Sequence, residues 1–540
     1  MQGLMMQQSL LISSLIRHAD HCHGDTEIVT RLTEGGIHRY NYREAHRRSR
    51  QLARALERLG AVRSDRVATL AWNTHRHFEI YFGTSGSGLV CHTVNPRLFP
   101  EQIAYIINHA EDLVVCFDLT FLKLVEGLRL LCPCVRHWVA LTDRAHLPAG
   151  PWLSYEELLE AESDDYEWPD FDENLAASLC YTSGTTGNPK GVLYSHRSTV
   201  RHSYAINQPD VMSLSARDTA LPVVPMFHVN AWGLPYSAPM AGCRIVFPGP
   251  GLDGASLCEL YISEKVTLSA GVPTIWLNTL AYMREKQVRL PLPHRTVIGG
   301  AAASPALIRA LEGEFGIEVR HGWGMTETSP LGTLNTFKAK HAHLPKEERD
   351  AVHHKQGRTL PGVELRIVDD AGRELPHDGM AFGDLQVRGH WVCRGYFKGE
   401  GGDILKEGGW FPTGDVATLD VDGYMKIVDR SKDVIKSGGE WISSIDVENL
   451  ALGHPAVGGA AVIGVHHPKW SERPLLIIVK RPNMDVSADE ILDFLRPKQA
   501  KWWLPDAVVF ADAIPLTATG KISKMRLRET YGTYFEKAGT

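Results

Sequence analysis

The stretch YTSGTTGNPKG (181–191) combines glycines, hydroxyl side chains and one lysine in a short segment. Glycines let backbone N–H groups approach a polyphosphate, hydroxyls donate to its oxygens or reach a bound Mg²⁺, and lysine adds positive charge. The segment is not a Walker A motif, because Pro189 separates Gly187 from Lys190. The residues that we assign to polyphosphate binding are Thr182, Ser183, Gly184, Thr185, Thr186 and Lys190.

Four further motifs follow this loop along the chain: HGWGMTET (321–328), GWFPTGD (409–415), DRSKDVIKSGGEWIS (429–443) and PLTATGK (515–521). With the first loop, they resemble the adenylate-forming superfamily, which contains acyl-CoA synthetases, luciferases and peptide-synthetase adenylation domains. Five motifs in the family's order make the resemblance highly specific. It implies that a carboxylate attacks the α-phosphate of ATP and that pyrophosphate leaves an acyl-AMP behind.

Two anions meet in this reaction, so the site must supply positive charge. The resemblance makes Lys521 the catalytic cation, which reaches the α-phosphate and the carboxylate, and Glu327 a Mg²⁺ ligand together with Thr182. It gives Trp323 the flat face that receives adenine and Asp415 the two oxygens that accept from the ribose hydroxyls. The same resemblance adds Gly322, as room beside the base, and His321, Thr326 and Arg430 to the nucleotide site.

The segment PMFHVNAWGLP (225–235) bears on the acid. Amino-acid-activating domains of the superfamily carry an aspartate there for the α-amine, and this chain has none. VPMFHVNAWGLPY (224–236), GVPTIW (271–276) and HPKWSERP (467–474) resemble the fatty-acyl-CoA synthetases instead. The N-terminal part is similar to the ligases of 3-methylmercaptopropionate, so we expect that acid or a medium-chain fatty acid within a wider class of apolar monocarboxylates.

The acyl group is assigned by resemblance to a pocket with a gate and a tunnel wall. His228 is the catalytic residue of this pocket, and Trp232 is similar to the gate residue of the long-chain enzymes. The other residues of the pocket are Val229, Gly300, Ala301 and Ala302. Three alternatives stay open: a luciferase-like enzyme, an acyl-AMP ligase that serves a carrier protein, and a non-catalytic nucleotide-binding homologue, against which the intact Glu327, Asp415 and Lys521 argue.

The second half-reaction needs the thiol of coenzyme A, whose phosphates and pantetheine favour glycines and lysines. The resemblance implies that a small domain turns about Lys432 between two orientations. One orientation brings Lys521 to the adenylate, and the other brings the loop that would meet CoA. That loop contains Lys436, Gly438, Gly439, Glu440 and Trp441.

Helical and strand-like segments alternate through the first part of the chain. Residues 40–60 have helical spacing and end at Gly60, whereas VATLAW (67–72) and LVVCFD (113–118) are short apolar runs. Such alternation predicts parallel sheets flanked by helices. After residue 360, short alternating strands predict a β-subdomain. We therefore predict an α/β protein with a large N-terminal domain (1–431) and a small mobile α+β C-terminal domain (432–540).

The composition limits the class of protein. The chain has 540 residues, a net charge of −6 and 9 cysteines, so we expect no nucleic-acid partner and reduced thiols. No apolar run is long enough for a membrane span, and residues 1–20 look like an ordinary first helix rather than a signal peptide. We expect an exposed polar helix at 337–355, a cytoplasmic location, and small-molecule partners (the acid, ATP and CoA). The sequence leaves the assembly open, with a homodimer as one candidate.

Overall fold

The computed structural model describes residues 1–182, 188–437, 440–517 and 521–537, with the backbone alone at 440, 536 and 537. Its strands in chain order are β1 Glu27–Arg31, β2 Ile37–Asn41, β3 Arg66–Leu70, β4 Val90–Thr93, β5 Asp112–Phe117, β6 His137–Ala140, β7 Leu153–Ser154, β8 Ala176–Tyr181, β9 Gly191–Ser195, β10 Thr219–Pro222, β11 Arg244–Phe247, β12 Leu268–Gly271, β13 Arg295–Ile298, β14 Glu318–Gly324, β15 Leu331–Leu334, β16 Arg358–Thr359, β17 Val363–Val368, β18 Phe382–Gly389, β19 Phe411–Leu419, β20 Met425–Arg430, β21 Ile435–Ser437, β22 Glu440–Ile442, β23 Val457–His467, β24 Ser471–Lys480 and β25 Ala507–Phe510.

The helices cover the sheets and join their strands. In chain order they are α1 Ser13–His23, α2 Tyr42–Arg58, α3 His75–Gly86, α4 Pro100–Ala110, α5 Leu122–Leu131, α6 Tyr155–Glu160, α7 His196–Ile206, α8 Leu234–Ala241, α9 Gly254–Ser263, α10 Pro273–Lys286, α11 Pro305–Phe315, α12 Lys346–His353, α13 Ser444–Ala451, α14 Ala488–Leu495, α15 Lys524–Tyr531 and α16 Tyr534–Lys537.

Two large sheets are mostly parallel. One has the order β7-β6-β5-β3-β4-β8-β9, and only its edge pair β8–β9 is antiparallel. The other has the order β16-β15-β14-β13-β12-β10-β11-β1-β2, with parallel pairing from β14 to β1. Strands such as β5 are buried along their whole length, as expected for a sheet covered on both faces.

The remaining sheets are largely antiparallel. β17 to β20 form a four-stranded sheet, and β21 to β25 form a five-stranded sheet in which β25 lies parallel to β24. Residues 431–434 form the turn between these two sheets. The observed architecture confirms the predicted fold class of parallel-rich sheets, a β-subdomain and an α+β C-terminal part.

Local signals set the ends of α2. The side chain of Asn41 accepts from the backbone N–H of Glu44 and so satisfies one of the free donors of the first turn. Gly60 lies just beyond the helix with a φ of +87°, a conformation that glycine adopts without steric cost. The helix expected over residues 40–60 is therefore observed.

Two expectations from the sequence were wrong in part. The N-terminal helix begins only at Ser13, and residues 1–8 belong to no helix or strand and are exposed. The polar segment 337–355 is not a uniformly exposed helix, because a short 3-10 turn precedes α12 and two of its histidines are buried. His341 packs against Tyr424, and His353 lies 2.8 Å from a carboxylate oxygen of Glu312.

Candidate functional site

The candidate site lies where parallel strands end. β8 leads into the segment at 181–191, β10 into 225–235, β13 into 299–303 and β14 into 321–328. Ligands of open α/β sheets bind outside the carboxyl ends of the strands, because loops from neighbouring strands converge there. The topology thus gathers the segments after β10, β13 and β14 at one edge of the nine-stranded sheet. β8 belongs to the seven-stranded sheet, and its Ser178 meets the segment after β10 through the side chain of Asn230.

The two ends of the predicted phosphate loop lie side by side. The antiparallel pair β8–β9 brings Thr182 and Lys190 together: the N–H of Thr182 donates to the carbonyl of Lys190 at 2.9 Å, and the N–H of Lys190 donates to the hydroxyl of Thr182 at 3.2 Å. The Lys190 ammonium lies 5.0 Å from the ring centre of Tyr396. Ser183, Gly184, Thr185 and Thr186 lie outside the described residues.

Glu327 sits in a short 3-10 turn after β14 and is nearly buried. The hydroxyl of Tyr396 donates to its Oε1 at 2.7 Å. Burial raises the pKa of this carboxyl, while the Tyr396 hydrogen bond and the positive charges of Arg430 and Lys521 act in the opposite direction. The neighbouring Thr326 is held through its carbonyl, which accepts from the hydroxyl of Tyr194 at 2.6 Å.

Asp415 is held between two donors. The indole N–H of Trp323 donates to its Oδ2 at 2.9 Å, and the guanidinium of Arg430 lies 2.9 Å from its Oδ1. Burial raises the pKa of Asp415, and the charge of Arg430 opposes that rise. The structure therefore brings together three of the residues assigned to the nucleotide, each from a different motif, and the two donors fix the orientation of the carboxylate.

Lys521 comes to this cluster from the other end of the chain. Burial, and then the like charge of Arg430, lower the pKa of its ammonium to about 8, although Asp415 and Glu327 favour the charged form. Burial and the charge of Lys521 also lower the pKa of His228 to about 4. Lys521 thus lies within electrostatic reach of Asp415, Glu327 and His228, which are assigned to the ribose, the metal and the acyl pocket.

Trp232 closes the region assigned to the acyl group. Its indole packs over a backbone without side chains: a Cβ built on Gly299 would lie 3.3 Å from Cη2, and one on Gly300 would lie 3.9 Å from Cζ2. Val272 contributes an apolar wall, since its Cγ1 would be 3.3 Å from a Cβ on Gly300. Ala301 is exposed and Ala302 half-buried, at the outer end of the same loop.

The backbone that carries Trp232 is unusual. Val229, Asn230, Ala231 and Trp232 have φ between +47° and +56°, and Gly233 follows at +79°. Left-handed backbone costs about 1–2 kcal/mol for each non-glycine residue, so this turn depends on its surroundings. Val229 is the most unfavourable member, because it is β-branched.

Two of the residues predicted to contact the nucleotide, His321 and Gly322, are packed against neighbouring segments of the protein. His321 is buried behind the 299–303 loop, where its Nε2 accepts from the N–H of Ala303 at 3.2 Å and burial lowers its pKa to about 4. A Cβ on Gly322 would lie 2.9 Å from Leu334, so the missing side chain makes room for the neighbouring β15. A role of either residue at the nucleotide stays a prediction.

The loop assigned to CoA lies elsewhere. The ammonium of Lys436 is 5.2 Å from the ring centre of Trp441, whose indole packs on Phe382 of the four-stranded sheet at 5.5 Å. Gly438 and Gly439 lie outside the described residues, and only the backbone of Glu440 is described. Lys432, in the turn between the two small sheets, accepts through its carbonyl from Arg528 at 3.4 Å.

Sequence reasoning missed Tyr396. It bridges Lys190 and Glu327, although 69 positions separate it from the carboxylate. The string CRGYF (393–397) has no spacing that marks chemistry by itself. The sequence signals its importance only by its place between two motifs, in a glycine-rich loop with Gly395, Gly399 and Gly401.

Profiles of known families match most of the chain. Residues 16–397 match the AMP-binding enzyme family, and residues 446–521 match the AMP-binding enzyme C-terminal domain. The chain belongs to the AMP-binding enzyme family. Membership confirms the predicted superfamily.

Several CoA ligases are similar to this chain over nearly its whole length. The 3-methylmercaptopropionyl-CoA ligase of Ruegeria lacuscaerulensis is 55% identical over 98% of this chain and 99% of its own length, and the medium-chain-fatty-acid–CoA ligase of Ectopseudomonas oleovorans is 51% identical over 98% of both chains. The crystal structure of the anthranilate CoA ligase AuaEII in complex with anthranoyl-AMP superimposes with a TM-score of 0.87 at 25% identity, over 97% of this chain and 98% of its own. These similarities confirm the predicted class, an acyl-CoA ligase that uses ATP and CoA.

No helix in the described part of the chain is long and apolar enough to cross a membrane. All nine cysteines lie in that part, and none is paired.

Proposed function

We propose that this AMP-binding enzyme activates a neutral, apolar monocarboxylic acid, with 3-methylmercaptopropionate or a medium-chain fatty acid as its preferred substrate. Two similar relatives are named for these acids. The wall beside Trp232 supports the proposal, because Val272, Gly299 and Gly300 place no charged group there. An acyl chain gains about 0.8 kcal/mol for each methylene buried in such a place.

The convergence of Lys521 with Asp415, Glu327 and His228 carries the proposed mechanism. We assign Asp415, oriented by Trp323 and Arg430, to the ribose hydroxyls. The Lys521 ammonium neutralises charge where the carboxylate of the acid meets the α-phosphate, and it acts in a partly dehydrated place where such a contact is strong. His228 is neutral near pH 7, since its pKa is about 4, so it can accept or donate one hydrogen bond without adding charge.

Mg²⁺ belongs to the same proposal. The donor set fits this ion, because Glu327 is a hard carboxylate oriented through Oε1 by Tyr396 and the Thr182 hydroxyl is a further oxygen. When bound, the ion would supply positive charge to the pyrophosphate leaving group. Glu327 and Thr182 would hold it, and Lys190 would add a cation on the loop side.

The second half-reaction rests on a change of orientation. We propose that residues 432–540 form a mobile domain that turns about Lys432 relative to residues 1–431. Lys436, Trp441 and the glycines at 438–439 would then meet CoA. The observed orientation, with Lys521 at the candidate site and Trp441 on Phe382, suits the first half-reaction.

The experiment is pyrophosphate release from purified enzyme with acids of three to sixteen carbons and 3-methylmercaptopropionate, each with and without CoA. We expect acid-dependent release, conversion to acyl-CoA when CoA is present, and the largest kcat/KM for a short thioether or medium-chain acid. Acyl-AMP that forms but ignores CoA would contradict the proposed acceptor. A preference for charged or amino acids would contradict the apolar pocket.

We also propose that the protein lies in the cytoplasm and forms a homodimer. Unpaired cysteines, five of them with thiol pKa values that burial raises to about 11–12, suit a reducing compartment such as the cytoplasm. Light scattering during size-exclusion chromatography measures the mass of the particle and distinguishes a dimer from a monomer.

A further inference from the structure

The left-handed turn at Val229–Gly233 must be held in place. L-residues disfavour this backbone because of their Cβ atom, achiral glycine does not, and a β-branched residue such as valine disfavours it most. Asparagine tolerates it better than other residues, because its short polar side chain can bond nearby groups. Asn230, with a φ of +52°, is therefore the residue at which the turn could be anchored.

The side chain of Asn230 is buried and reaches two other elements. Its amide nitrogen donates to the hydroxyl of Ser178 at 3.1 Å, on β8. Its Oδ1 lies 3.3 Å from the hydroxyl of Tyr81 and 3.5 Å from the thiol of Cys180. The Tyr81 hydroxyl also donates to the carbonyl of Met226, just before the turn. The turn is thus attached to the seven-stranded sheet and to α3 through one amide.

The far end of the turn is fitted just as closely. A Cβ on Gly233 would lie 2.9 Å from the imidazole of His202, so the backbone there fits against that ring. Trp232 lies between this contact and Asn230, and its indole covers Gly299 and Gly300. With both ends of the turn fixed, the direction of the indole is set by the backbone.

We propose that Asn230 is a positioning residue for acyl-chain selectivity. It touches no substrate in this proposal. Its amide holds the left-handed turn, the turn aims the Trp232 indole across the glycine wall, and the indole limits the length of acyl chain that fits. The inference rests on the proposed function, in which the acyl group lies beside Trp232.

The first test compares Asn230→Ala with Asn230→Gly. Alanine removes the amide contacts and disfavours the left-handed backbone, whereas glycine removes the contacts but permits that backbone. We expect Asn230→Ala to shift the ratio of kcat/KM for eight-carbon and three-carbon acids in the same direction as Trp232→Ala, by about fourfold for each methylene newly accommodated. Asn230→Gly should shift the ratio less, and KM for ATP should stay within about twofold for both.

The second test adds Asn230→Ala to the Trp232→Ala variant. Without an indole to aim, the added substitution should leave the chain-length profile unchanged. A uniform loss for all acids with a lowered Tm, or an equal shift of the profile in both backgrounds, would overturn the role of Asn230. If Trp232→Ala is active with the parent profile, the acyl site itself is misplaced and the inference falls with it. Absence of acid-dependent pyrophosphate release in the parent enzyme would instead overturn the proposed function.

Discussion

At the scale of single residues, charge and burial act against each other in the candidate site. Lys521 and Glu327 both have pKa values shifted towards the neutral form, because burial penalises each charge more than the neighbouring charges restore it. A lysine with a pKa of about 8 is still mostly charged at neutral pH. It is also poorly solvated, so it can interact strongly with a developing anion.

Replacement of Lys521 by alanine should therefore damage one half-reaction only. We expect adenylation to fall by about two to three decades, the size of a lost contact to a transition-state oxyanion. Thioester formation from supplied acyl-AMP should remain within about threefold of the parent, because we propose that the loop at 436–441 serves that step. Separate assays of the two half-reactions decide the matter, and an equal loss in both would refute the division of labour.

The pH dependence of adenylation follows from the same lysine. Since only the ammonium form supplies charge, kcat/KM for ATP should be constant below pH 8 and fall as pH rises through about 8, by about tenfold per pH unit above it. The residual activity of Lys521→Arg should lack this fall, because arginine keeps its proton. A parent profile that stays flat to pH 9.5 would contradict the assignment.

At the scale of elements, one loop joins parts of the site that come from different sheets. Residues 393–401 follow β18, and within them the N–H of Cys393 donates to the carbonyl of Glu327 at 2.8 Å, while Tyr396 contacts both Glu327 and Lys190. Glu400 accepts from the hydroxyl of Tyr105 on α4 at 3.0 Å. The loop therefore fixes the proposed metal ligand relative to the phosphate loop.

Tyr396→Phe tests this arrangement with the loss of a single oxygen. A hydrogen bond to a carboxylate is worth about 1.5–3 kcal/mol, so we expect use of Mg²⁺-ATP to weaken by about tenfold to a hundredfold. Isothermal titration of ATP at several Mg²⁺ concentrations measures the change without turnover.

Tyr105→Phe is the matched control for that loop. It removes the hydroxyl that donates to Glu400 of the same loop and leaves the hydrogen bond to Glu327 intact. ATP affinity should therefore change by less than about threefold. An equal loss of ATP affinity in the two variants would mean that the hydrogen bond from Tyr396 to Glu327 has no particular role in ATP binding.

At the scale of the whole molecule, contacts across the turn at 431–434 join the residues that follow the turn to the four-stranded sheet that precedes it. Asp429 of β20 accepts from the N–H of Ser444 at 2.7 Å, and Lys426 pairs with Asp446 at 3.0 Å. Trp441 packs on Phe382 at 5.5 Å. Trp441, which belongs to the loop proposed to meet CoA, is thus in contact with the four-stranded sheet, and the proposed rotation about Lys432 must break this contact.

Phe382→Ala should shift the balance between the two proposed orientations of residues 432–540. An aromatic pair contributes about 0.5–1.5 kcal/mol, so its loss should raise thioester formation relative to adenylation by about twofold to tenfold. Met380→Ala, a nearby exposed side chain, serves as control. Single-turnover rates of both half-reactions measure the ratio, and an unchanged ratio would show that this contact does not hold the orientation.

Much of the protein was predictable from short strings. Glycine-, hydroxyl- and lysine-containing segments such as 181–191 and 515–521 have their chemistry in consecutive residues, so their order alone identified the family and the enzyme class. Apolar runs with helical or strand spacing likewise predicted α2, β5 and the change to antiparallel strands after residue 360. Backbone preference and hydrophobic period act within a few residues, and a sequence displays both directly.

The tertiary structure decided what surrounds each of those residues. The burial of His321 behind a loop, the Tyr396 contact to Glu327 and the resting place of Trp441 on Phe382 each depend on segments far away in the chain. The left-handed turn at Val229–Gly233 runs against the local preference of valine, and the distant partners Ser178 and Tyr81 hold its asparagine. Local sequence cannot express such a conformation, because its free energy comes from contacts that exist only after the sheets have packed.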